Sequence, residues 1–386
     1  MQRRNFNKLA VAVSVLLTGL AAQAELGVTE KEIRLGSVLP LQSGLSAGAT
    51  QYRDGLDAYF KWVNANGGIN GRKVVWSAEN DSYNPQQAVA AVKKLVDRDE
   101  VFAIVGTLGT TNTLAMLPFL KQRGVPLLGP LGSHPSINEP EDRNVFPMSP
   151  MGPAHGRSLA QFANENLKAK KIAVFYQDDQ YGKELLSGAK KYAAENGMTV
   201  VGEAAYVPSD VDVSAQVLTL SKTQPDAVLM AVIPKQGALF LQAAQRIGFK
   251  SAFLAPQLMA DPVALQLGGD AVNGLYMNVY VAHESMSTPA VKEATDILAK
   301  YAPQSPPGYW AFAGMSGAKM FHIAAQKVGK DLTREKLIAQ LNATGKFPTG
   351  LVPPVTYTEA RRSGPETFGY AQWEGGKVKV LKMWSE

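Results

Sequence analysis

The residues best suited to hold a ligand are Gly106-Thr107-Leu108-Gly109-Thr110-Thr111-Asn112. They link an apolar run to an amphipathic one, the pattern of a strand turning into a helix. Free backbone N–H groups and the hydroxyl of Thr110 or Thr111 would suit an anion at that helix N-terminus. A plain helix cap would use the same residue types, so both readings stand at this level. Chemistry beyond binding finds little support. There is no Gly-x-Gly-x-x-Gly after a strand and no phosphate-binding loop ending in Gly-Lys-Ser/Thr. A Gly-x-Ser-x-Gly elbow and a His-Glu-x-x-His pair are absent too. His134, His155, His283 and His322 are scattered, with no metal-ligand spacing among them. Asp178-Asp179 and Glu139/Glu141/Asp142 fall in expected loops, where solvated charge is the ordinary outcome. Cysteine is absent, which excludes disulfides, thiolate metal sites, Cys nucleophiles and a lipid-anchored cysteine. No enzyme, no cofactor and no metal is expected.

The elements that must position the loop alternate almost from the start. Strands are expected at 33–39, 73–79, 101–105 and 125–128, with helices at 49–63, 85–98 and 112–123 between them. This order implies a parallel sheet covered by helices on both faces. The pattern then restarts. Strands at 171–176, 199–206, 227–233, 252–254 and 275–278 alternate with helices at 182–195, 213–222 and 237–247. Two doubly wound α/β lobes follow. Three prolines and a glycine in 147–153 oppose regular structure and suit a crossover between the lobes. A second Pro-rich stretch, 350–354, follows helices at 314–328 and 333–341. Strand-like 370–373 and 378–384 then read as a terminal hairpin. A cleft at the carboxyl ends of the parallel strands is the natural place for a small molecule.

The chain has 386 residues, enough for two domains on a prior of roughly 150 residues each. Residues 1–24 read as a signal peptide. Arg3, Arg4 and Lys8 form its charged start, residues 9–20 its apolar middle, and Ala22-Gln23-Ala24 its cleavage site. The paired arginines also resemble a twin-arginine leader. Beyond residue 24 the chain carries 36 basic and 33 acidic residues, a net +3. That is too weak for a nucleic-acid partner. No later stretch reaches 18 consecutive apolar residues, so a soluble periplasmic protein is expected.

The sequence resembles the periplasmic branched-chain amino-acid-binding receptors of ABC transporters, the leucine/isoleucine/valine-binding type. The likeness runs through nearly the whole chain beyond the leader. It is carried by Ile33-Arg34-Leu35-Gly36, Leu39-Pro40-Leu41-Gln42-Ser43-Gly44 and, most strongly, Val63-Asn64-Ala65-Asn66-Gly67-Gly68-Ile69-Asn70-Gly71-Arg72-Lys73. It continues in Asp81, Pro85 and 101–106. In the second half it includes Tyr176-Gln177-Asp178-Asp179-Gln180-Tyr181-Gly182 and Gln224-Pro225-Asp226-Ala227-Val228. The resemblance implies the type I periplasmic binding protein fold, with two lobes joined by a three-strand hinge. Lobe 1 would comprise 25–148 plus 279–353, and lobe 2 149–278 plus 354–386. It also implies a hinge motion that closes the lobes over a buried ligand, and an ABC permease in the inner membrane as partner. A monomer suits such a shuttle.

The same resemblance assigns site residues. Thr110 falls where the family has its carboxylate-binding serine. Leu131, Gly132 and Ser133 fall on backbone and hydroxyl contacts, Tyr181 packs over the ligand from the other lobe, and Trp310 can wall the cleft. Ser43, Ser46 and Ala47 would line the rim. One departure stands out. Gln257 occupies the place of a glutamate that accepts an amino acid's ammonium, and apolar Ile233 lies where the family has a tyrosine. A neutral amide cannot neutralise a cation, and burying an unpaired ammonium costs several kcal/mol. The expected ligand is therefore a small carboxylate without an α-amine, an aromatic or other organic acid. If Asp210, Asp261 or Glu284 replaces the glutamate, an amino acid is restored. A ligand-sensing regulatory protein is a further alternative, against which the leader argues.

Overall fold

The computed structural model describes residues 25–137 and 143–384. The expected leader and the cluster Glu139/Glu141/Asp142 lie outside them. The first sheet has the order β2-β1-β3-β4-β5 and is parallel throughout. It is built from β1 (Glu32–Leu39), β2 (Lys73–Asn80), β3 (Ala103–Leu108), β4 (Leu127–Leu131) and β5 (Val145–Phe146). β3 and β4 begin two residues later than the apolar runs suggest. Its covering helices are α1 (Ser46–Ala65), α2 (Pro85–Lys93) and α3 (Thr110–Arg123). The expected helix 85–98 finishes with one wider, π-type turn, Lys94–Arg98.

The chain then crosses at 147–151 and enters α4 (Gly152–Glu165), which begins inside the Pro-rich stretch. Pro153 stands near the helix start, where its missing N–H costs nothing. β6 (Lys171–Gln177), α5 (Gln180–Glu195), β7 (Thr199–Tyr206), α6 (Ser214–Lys222), β8 (Ala227–Ala231), α7 (Pro234–Arg246), β9 (Ala252–Pro256), α8 (Pro262–Gly268) and β10 (Tyr276–Val279) form the second unit. A second crossing leads back to α9 (Pro289–Tyr301), α10 (Tyr309–Val328), α11 (Arg334–Ala343) and a short antiparallel pair, β11 (Lys346–Phe347) with β12 (Val355–Thr356). A third leads to β13 (Gly369–Glu374) and β14 (Lys377–Lys382). These last two strands pair as a hairpin and add antiparallel to β10, completing the order β14-β13-β10-β9-β8-β6-β7. The two-lobed α/β architecture expected from the alternating pattern is therefore present. Val355 and Tyr357 belong to the first core, so the chain leaves that unit only after them.

Both units clamp one helix pair by removing side chains at the contact. A Cβ on Gly55 of α1 would lie 2.0 Å from the Ala311 carbonyl oxygen of α10, and one on Gly314 2.1 Å from that of Tyr52. In the second unit Gly156 of α4 and Gly188 of α5 face the Leu185 and Pro153 oxygens at 1.9 and 2.0 Å. Backbone cannot yield as a side chain does, so the helices must separate to admit a methyl group. Gly314→Ala is expected to lower the unfolding free energy by roughly 1–3 kcal/mol. Urea denaturation, with the slope unchanged and the midpoint lowered, would record it.

Candidate functional site

In each sheet the strand order reverses direction at one point, between β1 and β3 and between β6 and β8. Loops leaving the carboxyl ends there splay apart and leave a crevice. The two crevices face one another and enclose a cavity of about 70 Å³. At about 10–15 Å³ per water that is room for roughly five to seven waters. From the first unit it is lined by Leu45, Tyr83, Leu108 to Thr110, Leu131 to Ser133, Tyr309 and Trp310. From the second unit and the crossings come Ser149, Pro150, His155, Tyr181, Ile233, Pro256 to Leu258 and Tyr280. No lysine, arginine, aspartate or glutamate is among them.

Helix starts dominate this lining. Leu45, Gly109 and Ile233 are the N-cap residues of α1, α3 and α7; Tyr309 and Trp310 open α10; His155 stands in the first turn of α4. None of these five helices has a side-chain cap. Asn84, Asp179, Asp261, Thr288 and Thr333 cap α2, α5, α8, α9 and α11 in the usual way, and Tyr181 in the first turn of the capped α5 also lines the cavity. Each open helix start presents roughly half a positive charge. An anion is favoured in such a ring and a cation is not. Gly109 is needed at the start of α3: its φ is +110°, and a Cβ would sit 2.9 Å from the Tyr83 ring.

Thr110 and Ser133 meet inside this ring. The Thr110 hydroxyl lies 3.2 Å from that of Ser133 and accepts the Ser133 N–H at 3.1 Å. Both side chains are buried. Thr111 does not line the cavity; its hydroxyl is buried on α3 without a partner. Ser43 is also off the lining. Its hydroxyl donates to the Pro40 carbonyl and accepts the Leu45 N–H, shaping the turn that presents Leu45 instead.

Tyr181 and Ile233 line the cavity, and the Tyr181 hydroxyl donates to the Val232 carbonyl at 3.3 Å. Trp310 lies flat on Gly48, where a Cβ would be 2.4 Å from the ring, and donates Nε1–H to Asp261 across the cleft. Asp261 is spent on that bond and on capping α8. Neither it nor Asp210 nor Glu284 lines the cavity. Gln257 has a different part from the one its place in sequence implies. Its Oε1 accepts the N–H groups of Tyr280 and Val281, both at 2.9 Å, and its Nε2 donates to the Val281 carbonyl. The side chain braces the second crossing and leaves no acceptor for a ligand.

Sequence reasoning missed Tyr83, Tyr280, Tyr309 and His155. The Tyr280 and Tyr309 hydroxyls lie 3.1 Å apart, and Tyr83 accepts from Gln177 across the cleft at 3.4 Å. Burial holds these phenols protonated, with Tyr309 pushed up to about 12. His155 is buried. Burial lowers its pKa to about 4, partly opposed by its bond to Asn278.

The periplasmic binding protein family model matches residues 32–377. The chain belongs to that family. Among its relatives is "Leu/Ile/Val-binding protein homolog 3" of Brucella melitensis, 24% identical over 371 residues, covering 95% of this chain and 99% of the relative. Of the solved structures, a fatty acid ABC transporter substrate-binding protein from Thermomonospora curvata superposes with a TM-score of 0.84 at 23% identity, covering 94% of each chain. A leucine-binding protein from Thermotoga maritima gives 0.81 at 21% identity, covering 91% of this chain and 98% of that one. At these identities the structural likeness establishes the type I periplasmic binding protein fold.

A family receptor with a neutral buried histidine has a defined acid response. The unfolded imidazole titrates near 6.5 and the folded one near 4, so in between the unfolded state binds the extra proton. This contribution is complete above pH 6.5 and is lost as pH falls toward 4. The loss amounts to about 2 kcal/mol by pH 5. Urea midpoints at pH 7 and pH 5 should therefore differ less in His155→Phe than in the wild type.

Proposed function

We propose that this protein is the solute receptor of an ABC importer, exported to the periplasm, and that it captures a small carboxylate lacking an α-amine. It performs no chemistry on that ligand. The observation that carries this reading is the ring of five uncapped helix starts around a cavity lined by no charged side chain. A carboxylate gains from the helix dipoles and from the hydroxyls of Thr110 and Ser133. An ammonium in the same space would face those dipoles without a counter-ion. Gln257 cannot help, because its amide oxygen already takes two backbone N–H groups.

Leu131, Gly132 and Ser133 would complete the carboxylate grip. Tyr181, Ile233 and Trp310 would enclose the remainder of the ligand, with Tyr83, Tyr280 and Tyr309 beside them. Such walls suit a flat ring, and a cavity of about 70 Å³ suits one ring better than a long acyl chain. Residues 25–148 with 279–357 and 149–278 with 358–386 would move as the two closing bodies, and the closed pair of lobes would be presented to the permease as a monomer. A branched-chain amino acid is the second reading, supported by the names of the relatives.

Calorimetric titration separates the two. Benzoate is expected to bind, and leucine to bind on the order of a hundred-fold more weakly or not at all. Thr110→Val should weaken benzoate by roughly ten-fold or more through the lost charge-assisted hydrogen bond. Tight leucine binding with no heat from aromatic acids would reverse the assignment.

A further inference from the structure

His155 is the cavity residue that the grip on a carboxylate leaves unused. It stands where two of the crossings meet the start of α4. Its ring lies edge-on to Tyr280 of the second crossing, with centroids 5.7 Å apart, and to Phe368 of the third, at 5.0 Å. Nδ1 is 3.2 Å from Oδ1 of buried Asn278. The Asn278 amide nitrogen donates to the His155 carbonyl at 3.2 Å, which fixes the amide's orientation. Its oxygen can only accept, so the imidazole proton is on Nδ1 and Nε2 keeps a free lone pair. The lowered pKa agrees with a neutral ring, as does its place in the first turn of a helix.

Among the described residues Nε2 has no hydrogen-bond partner. The fully buried side-chain nitrogen and oxygen atoms without a hydrogen-bond partner among the described residues are Arg72 Nη1, Thr111 Oγ1, Gln236 Oε1 and Ser305 Oγ, and His155 Nε2 is not one of them. It therefore meets free space, and the space His155 lines is the cavity. Several other polar groups there already have partners. Gln257 Oε1 takes two N–H groups, Thr110 Oγ1 takes that of Ser133, and Ser149 donates to the Pro130 and Gly132 carbonyls. The Tyr280 and Tyr309 hydroxyls pair with each other.

We infer that His155 Nε2 is a specificity contact, accepting a hydrogen bond from a neutral hydroxyl on the bound acid. The inference rests on the carboxylate-receptor reading and narrows its ligand class to hydroxy-substituted aromatic acids. An unsubstituted acid leaves a buried acceptor unpaired, and that penalty is what discriminates.

The test titrates the purified protein with benzoate, 3-hydroxybenzoate and 4-hydroxybenzoate. At least one hydroxybenzoate is expected to bind roughly three- to ten-fold tighter than benzoate, and His155→Phe to bring that ratio close to one. A second readout needs no variant. In protein carrying ¹⁵N-labelled histidine, the Nδ1–H tautomer should be seen, and the Nε2 resonance should move with the preferred hydroxybenzoate and stay in place with benzoate. Equal affinities for all three acids, a ratio kept by His155→Phe, or an unmoved Nε2 would overturn the inference while leaving a carboxylate receptor intact. No heat from any of the three acids would remove the carboxylate reading, and this inference with it.

Discussion

The structure depends on the orientation of helix dipoles around one small space. A doubly wound sheet sends the starts of its helices toward the carboxyl ends of its strands. Two such sheets placed face to face aim both sets of helix starts at the same gap. That geometry comes with the fold, but its electrical consequence is decided by sequence. A serine, threonine, aspartate or asparagine at the N-cap would satisfy the open N–H groups locally. At α1, α3 and α7 the N-cap is Leu45, Gly109 or Ile233, and at α4 and α10 it is Met151 or Gly308. The field is thus left for whatever occupies the cavity. An ordinary cap at these places would have satisfied part of that hydrogen-bonding capacity within the protein.

The crossings carry the second half of the arrangement. Gln257 sits at the end of β9 and ties down Tyr280 and Val281 with three hydrogen bonds from one side chain. A glutamate could accept the two N–H groups, but it could not donate to the Val281 carbonyl, and its charge would be left in the cavity wall. The amide fits a hinge that must be self-sufficient, with no ligand group completing it. Asn278 and His155 repeat the logic one turn away, exchanging hydrogen bonds between the last residues of β10 and the start of α4. The two hydrogen-bonded clusters meet through the ring contact between His155 and Tyr280, with Phe368 of the third crossing packed against His155.

The alternating apolar runs were sufficient to read both sheets, because buried parallel strands are apolar on both faces. They read poorly where chemistry and geometry diverge. α4 starts within a Pro-rich segment that looks like a plain crossover, since proline near a helix start is as acceptable as proline in a linker. α9 was missed although Thr288 and Pro289 mark its start as clearly as Asn84 and Pro85 mark that of α2. At the site, Thr110, Ser133, Tyr181 and Trp310 were legible through family resemblance, and all four line the cavity. Tyr83, Tyr280, Tyr309 and His155 were not, because they come from loops and crossings whose paths no periodicity encodes. Gln257 was located but misread, for its partners are backbone groups more than twenty residues away. The missing caps were visible in the sequence throughout, once the helix starts were known.

Asp261 bears on the closing of the two lobes proposed above. It is a buried carboxylate held by two neutral donors, the Trp310 indole N–H from the opposite unit and the Val263 N–H of its own helix. Burial raises its pKa and these bonds lower it, with burial the larger effect. Its charge is therefore incompletely compensated while the cleft is shut. Opening would return water to Asp261, at the loss of the Trp310 bond and of the contact between Gln177 and Tyr83. The shut form thus contains a group that gains by opening, set against the apolar walls that gain by closing. A ligand that fills the cavity adds to the second side only, through area removed from water and through the helix dipoles it satisfies. A solute without the anionic group supplies only part of that increment. On the proposed reading, selectivity for a carboxylate and the tendency to close would be the same free energy counted once.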